Sequence, residues 1–208
     1  MPEKYQHKYR IASARLQGYD YGQNGAYFIT ICTKDRVQFF GEIIFGTQNN
    51  EPGFETQNIG LGSDTQNIEP GFETQNIASL RASPMGVIAN DYWQKIPEHF
   101  PFVILDEFVV MPNHVHGILI ISKPVQMQES GYANKFGPQS GNISSVIRGY
   151  KAGVKSFATN NKIDFGWQPR FHDHIIRDNG EMNRIRRYII ENPGNWFRDR
   201  NNKEDLYM

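Results

Sequence analysis

FVILDEFVVMPNHVHGILII, residues 102–121, is the stretch from which the fold is read. β-Branched and aromatic residues fill both halves and Pro112-Asn113 divides them, so the segment reads as two strands, 102–111 and 114–122, joined as a hairpin. Asp106, Glu107, Pro112, Asn113 and two histidines interrupt the apolar run, which therefore cannot span a bilayer. In the second strand His114 and His116 lie two residues apart. Side chains at i and i+2 share a face, so both imidazoles project together while Val115 points into the core.

Working outward from the hairpin, the chain alternates between strand and helix patterns. Ala26 to Thr33 (AYFITICT) is a strand following the turn signal Asn24-Gly25. Pro84 to His99 carries Val87, Ile88, Tyr92 and Ile96 at helical spacing, with Ser83-Pro84 as its start. Ser144 to Thr159 places Val146, Ile147, Tyr150, Val154 and Phe157 on one helical stripe. Trp167 to Arg177 is extended. Asp178 and Glu181 then open a last helix, continued by Met182, Ile185 and Ile189 until Pro193. The order β–(insert)–α–β–β–α–β–α predicts an α+β domain of ferredoxin-like, RRM-like split βαβ type. Its antiparallel sheet carries helices on one face, leaves the other open for ligands, and is followed by a C-terminal helix.

The insert falls at 46–82. Thr-Gln-Asn recurs every nine residues at 47–49, 56–58, 65–67 and 74–76, and EPGFETQNI occurs identically at 51–59 and 69–77. Each copy offers at most one Phe and one Ile to bury, too little to offset chain entropy, so a disordered loop grown by duplication is predicted within a single domain, 1–208. Hydrophobic residues are 38% of the 208, enough for a core. The lone Cys32 excludes a disulfide framework or a cysteine zinc cluster. The polar N-terminus lacks a signal-peptide pattern, so a soluble protein of a reducing compartment is expected, with no membrane partner.

Net charge is zero, yet unevenly spread. Residues 37–76 hold six acids and no Lys or Arg, whereas 148–200 hold eleven basic and six acidic side chains. One acidic segment thus masks a basic C-terminal part, the electrostatic footprint of phosphate binding.

Two imidazoles converging from one strand face can hold a divalent metal; the alternative is a hydrogen-bonded pair at a strand start. His172 and His174 repeat the spacing and form a second candidate metal pair, with Asp173 facing away from both. No cluster of Asp or Glu accompanies the first pair in the sequence, which disfavours a hydrolase of small phosphoesters.

The segment FVVMPNHVHGILII resembles the histidine–hydrophobe–histidine signature of the single-tyrosine HUH transposases, and more narrowly their REP-associated branch. Gly18-Tyr19-Asp20-Tyr21 before GAYFITICT (25–33), Trp167-Gln168, Asp173-His174-Ile175-Ile176-Arg177, and Arg187-Tyr188-Ile189-Ile190-Glu191-Asn192-Pro193 with Trp196 beyond resemble that branch in the same order. The resemblance spans most of the chain outside the repeats. His172 departs from it, since an aromatic is expected there.

The resemblance implies a metal-dependent endonuclease and strand transferase of single-stranded DNA, mobilising REP-like hairpin elements through a 5′-phosphotyrosine intermediate. It makes Tyr188 the nucleophile and Asn192 the third ligand beside His114 and His116. Asn192, four residues on, shares the helix face of Tyr188, and Pro193 is expected to bend the chain there. Tyr150 is the rival nucleophile, on a basic helix with Arg148 and Lys151, though its place on the apolar stripe equally fits core packing. A mixed imidazole and oxygen set suits Mg²⁺ or Mn²⁺, as the resemblance also implies. Arg184, Arg186, Arg187, Arg148 and Lys151 are candidate phosphate contacts, and Tyr19 and Tyr21 are candidate platforms for unpaired bases. The expected partner is hairpin-forming single-stranded DNA in a prokaryotic, nucleoid-associated cytoplasmic setting. The tyrosine helix is supplied in cis or across a homodimer. The competing function is a non-catalytic single-strand-binding module.

Overall fold

In the computed structural model, residues 4–5, 8–9, 19–46, 77–124, 140–199 and 201 are described; the repeats lie outside them. The described strands are β1 (Lys4–Tyr5), β2 (Lys8–Tyr9), β3 (Gly25–Cys32), β4 (Gly41–Gly46), β5 (Ile77–Ala82), β6 (Val103–Met111), β7 (His114–Ile121) and β8 (His172–Ile176). The helices are α1 (Pro84–Gln94), α2 (Ile96–His99), α3 (Ile143–Asn160) and α4 (Asn179–Glu191), with 3-10 turns at Lys34–Arg36 and Pro193–Arg198.

The central sheet is antiparallel in the order β6-β7-β3-β8. The path from β3 to β6 steps over β7, and the path from β7 to β8 steps over β3. This is the split βαβ arrangement the sequence predicts. Cys32 pairs with His114 and Thr30 with His116 on one side of β3, while Thr30 pairs with His172 on the other.

One face of the sheet is the main core. Tyr27, Ile29 and Ile31 of β3 and Val115, Leu119 and Ile121 of β7 meet Met85, Ala89 and Trp93 of α1 and Val146, Ile147, Tyr150 and Val154 of α3. The caps follow local chemistry. The Ser83 hydroxyl accepts from the Gly86 amide at 3.1 Å, and Asn142 with Ser145 forms a reciprocal capping box on α3. The single helix expected over 84–99 is divided at Lys95, because Pro97 has no N–H to return to Trp93.

The opposite face is not left open. α4 lies across it, with Ile189 buried beside Ile118 of β7 and Ile176 of β8, and with Met182 and Ile185 half-buried around them. Covering an isoleucine of this kind stabilises by about 1.5–3 kcal/mol, so the apolar stripe of α4 finds its partner on the sheet. A β-bulge between Leu105 and Phe108 brings Asp106 to this side of β6. There it accepts two hydrogen bonds from Arg186 of α4, at 2.7 and 2.6 Å.

Strands β4 and β5 form a separate antiparallel hairpin in full register, from Gly41–Ala82 to Gly46–Ile77. The sequence reading assigns 46 and 77–82 to the edges of the insert, and they are ordered strand. Phe45 of this hairpin stacks on Phe197 at 5.2 Å between ring centroids. Among the described residues no helix is long and apolar enough to cross a membrane.

Candidate functional site

The strand alternation that buries Val115 turns His114 and His116 onto the α4 side of the sheet, where both are fully buried. Their rings sit 4.4 Å apart. Each ring is gripped at Nδ1, by Asn113 Oδ1 at 2.8 Å for His114 and by the Thr30 hydroxyl at 2.8 Å for His116. Both imidazoles therefore present Nε2 to the same space. Trp196, itself buried, lies 6.0 Å from the His114 ring, and Phe28 stacks on His116 at 5.4 Å.

α4 carries Tyr188 to this space. Ile189 and the Asp106–Arg186 pair fasten the helix to the sheet, and Tyr188, 43% exposed, projects beside them. Its Oη stands 3.2 Å from His116 Nε2 of the same chain. Asn192 follows one turn later and is buried. It keeps helical dihedrals (φ −58°, ψ −43°) despite preceding Pro193, so the expected bend is absent. Proline opens the following 3-10 turn, where a missing N–H costs nothing.

That turn brings in a residue the sequence reading does not contain. Asp199 places its carboxylate within 4.8 Å of the ligand nitrogens of both His114 and His116, with Oδ2 at 3.7 Å from His114 Nε2. Its Oδ1 accepts from the Asn201 amide at 2.7 Å, which aims Oδ2 inward. Asp199 Oδ2 and Asn192 Oδ1 are buried acceptors that receive no hydrogen bond. Acceptors buried in this way can be satisfied by a cation, and the two imidazole nitrogens with the Asp199 carboxylate form a donor set that fits one. Tyr188, Asn192, Asn195, Arg198 and Asp199 line a cavity at the mouth of this cluster. A carboxylate seven residues beyond Asn192, reached through an irregular turn, carries no periodic signal in the sequence.

The other candidates are placed elsewhere. His172 and His174 are both exposed on β8, two strand spacings or about 10 Å from β7, and His174 pairs with Glu181 at 2.7 Å. The Glu181 carboxyl is held below its ordinary value by the Arg177 amide first and by His174 second. Tyr150 lies in the main core on the far face of the sheet, its hydroxyl donating to Ala89 O at 3.0 Å, and burial pushes its phenol well above the usual range. Lys151 donates to the carbonyls of Gln168 and Arg170, and burial lowers its ammonium, partly opposed by Cys32. Arg148, Arg184 and Arg187 are exposed, whereas Arg186 is engaged by Asp106. The expected exposed platforms Tyr19 and Tyr21 are instead core packing. Tyr21 is buried, and Tyr19 meets it edge-on at 5.0 Å, because both close over Tyr27 at the end of β3.

Fold and site together define an α+β protein that joins a buried His–His–Asp cluster to a tyrosine on a covering helix. An uncharacterized protein of Haemophilus influenzae (strain ATCC 51907 / DSM 11121 / KW20 / Rd) is 34% identical over 196 residues, 90% of each chain, and the present chain belongs to its family. No protein-family model matches the chain. Among solved structures, a REP-associated tyrosine transposase bound to a REP hairpin aligns over 89% of this chain and 74% of its own, with a TM-score of 0.48 and 19% identity.

Proposed function

We propose that this protein is a metal-dependent endonuclease and strand transferase of hairpin-forming single-stranded DNA, of the REP-associated tyrosine transposase type, with Tyr188 as nucleophile. One observation carries the reading: the Tyr188 phenol meets His116 of the histidine pair at 3.2 Å within one chain. The motif resemblance around both residues points the same way. Tyr150, walled into the core with its phenol pushed up, is the poorer nucleophile.

Attack by the Tyr188 oxygen forms an Oη–phosphorus bond and breaks the bond from phosphorus to the 3′-oxygen. That oxygen leaves and takes up the proton the phenol gives up, while the strand beginning at that phosphate stays esterified to Tyr188 through its 5′ end. Because an ester replaces an ester, a strand 3′-hydroxyl can later reverse the step with no external energy source. His114, His116, Asp199 and Asn192 would hold Mg²⁺ or Mn²⁺, which when bound supplies Lewis acidity to the phosphate oxygens. The chain's own part is geometric: α4 presents the phenol, and exposed Arg184 and Arg187 offer charge to the flanking phosphates. Such a reaction belongs to a prokaryotic cytoplasm with access to the nucleoid.

The test incubates labelled single-stranded hairpins with the protein and Mn²⁺. The expected product is a covalent adduct, stable to boiling in detergent, that maps to Tyr188 and is absent from Tyr188→Phe. Salt-sensitive binding that is indifferent to chelator and never covalent would establish the binding-module alternative instead.

A further inference from the structure

The buried side chain of Asn113 joins three separate segments. Its amide nitrogen donates to Arg36 O at 3.0 Å and to Asn201 O at 2.7 Å. Its amide oxygen faces His114 Nδ1 at 2.8 Å. Carbonyl oxygens accept only, so the amide edge that meets the two carbonyls must be the NH₂, and the edge that meets the imidazole must be the oxygen. An amide oxygen cannot donate. Nδ1 of His114 therefore carries a hydrogen, and Nε2 is the nitrogen turned toward Asp199.

The same amide holds the far end of the chain. Asn201 O is tied to Asn113, and Asn201 N in turn donates to Asp199 Oδ1. One side chain thus sets the lone pair of one ligand and anchors the segment that delivers another. Thr30 differs: a hydroxyl can donate or accept, so it leaves the tautomer of His116 free.

We infer that Asn113 is the positioning residue of this centre, fixing His114 in its Nδ1-protonated, metal-ready tautomer and docking the Asp199 segment on it. The inference rests on reading the cluster as a divalent-cation site, and it deepens that reading by naming what assembles the site.

Two measurements test it, neither of which uses DNA or strand cleavage. In ¹⁵N spectra of the metal-free wild-type protein, His114 is expected to show a protonated Nδ1; a bare Nδ1 with the hydrogen on Nε2 alone would overturn the inference with no variant needed. Titration with Mn²⁺, followed by electron paramagnetic resonance, is expected to give affinity about 10–100-fold weaker for Asn113→Ala. Asn113→Asp keeps an acceptor for His114 but loses both donors, so it is expected to retain the tautomer while losing about tenfold in affinity through the slackened Asp199 segment. Unchanged Mn²⁺ affinity in both folded variants would equally sink it. Because the readouts are tautomer and ion affinity, failure of the transferase reading would show separately, as a wild-type protein that binds Mn²⁺ and forms no adduct.

Discussion

The Tyr188 phenol and His116 Nε2 stand 3.2 Å apart, although 72 residues separate them in the chain. The nitrogen has one lone-pair direction in the ring plane, and whichever partner donates, a hydrogen bond there occupies it. An ion taking His116 Nε2 as ligand must displace the phenol. Coordination and the Tyr188–His116 bond therefore exclude one another, and an ion in the site would free the Tyr188 phenol toward the cavity.

Tyr188→Phe accordingly has two expected effects of opposite sign. It abolishes the covalent adduct, and it tightens Mn²⁺ binding, because the net worth of the lost hydrogen bond, about 0.5–1.5 kcal/mol, no longer opposes the ion. That corresponds to an affinity gain of about 2–12-fold. Calorimetric titration of the two proteins with Mn²⁺ measures it, and weaker binding by the variant would count against the competition.

Asp199→Asn separates a ligand from a structural acid. The carboxylate is almost wholly buried beside His114, and an anion in that setting carries a desolvation cost unless a cation meets it. The metal-free variant is expected to melt at the same temperature as the wild type or higher. Its stabilisation by added Mn²⁺ is expected to shrink by about 1.4 kcal/mol for each tenfold loss of affinity. Thermal melts across a Mn²⁺ series read both. A variant that loses stability without metal and gains normally with it would make Asp199 a structural residue.

Arg186 illustrates where sequence reading ends. A run of three arginines on the last helix suggests phosphate contacts, yet the bulge in β6 supplies Arg186 with Asp106 inside the protein. Hydrogen bonds from Arg186 hold the Asp106 carboxyl below its ordinary 3.8, against the opposing effect of burial. A depressed folded value means that the stabilisation is full above the ordinary value and is lost as pH falls through the lower, folded one. Asp106→Asn is thus expected to cost about 1 kcal/mol at pH 7, modest because Arg186 is 40% exposed and solvent screens the pair. The cost should fade as the medium is acidified below pH 4. Urea melts at pH 7 and pH 3 check the sign, and Arg186→Gln should lower adduct yield while leaving DNA affinity unchanged.

Elements defined by local signals were legible in the sequence. Pro112-Asn113 marks the β6–β7 hairpin, Ser83-Pro84 marks the start of α1, and the apolar stripe of 144–159 matches α3 to within one residue at each end. The order of elements was sufficient to predict the sheet. What escaped depends on partners distant in sequence. β4 pairs with β5 across the repeats, and six residues of Gly-Glu-Ile-Ile-Phe-Gly have no signature without that partner. The pattern of Trp167 to Arg177 is extended throughout, but pairing with β3 selects only 172–176 as strand, with Trp167 bridging Thr33 alone. Tyr188, His114 and His116 could be picked from spacing and resemblance. Asp199 could not, since its position comes from a 3-10 turn and a backbone tether to Asn201. Tyr19 and Tyr21 are not exposed platforms, because three tyrosines, 19, 21 and 27, close on one another through the turn before β3.

The glycine after the histidine pair has a packing reason that can be tested. Gly117 follows His116 on the core face of β7, and a Cβ built there would lie 2.3 Å from Trp93 Cζ2 and 3.0 Å from Phe108 Cβ. Trp93 is fully buried, edge-on to Tyr150 and stacked near Phe108, so it has no room to withdraw. Gly117→Ala is therefore expected to destabilise by about 1–3 kcal/mol through overpacking. Since the strain falls on the strand residue adjoining His116, Mn²⁺ affinity should fall with it. Trp93→Phe removes the clashing atom and a buried indole N–H that makes no hydrogen bond. In the Gly117→Ala background it should recover at least about 1 kcal/mol relative to additivity, because the two changes share one contact. Denaturant melts of the four proteins close the cycle, and simple additivity would show that Trp93 is not what keeps alanine out.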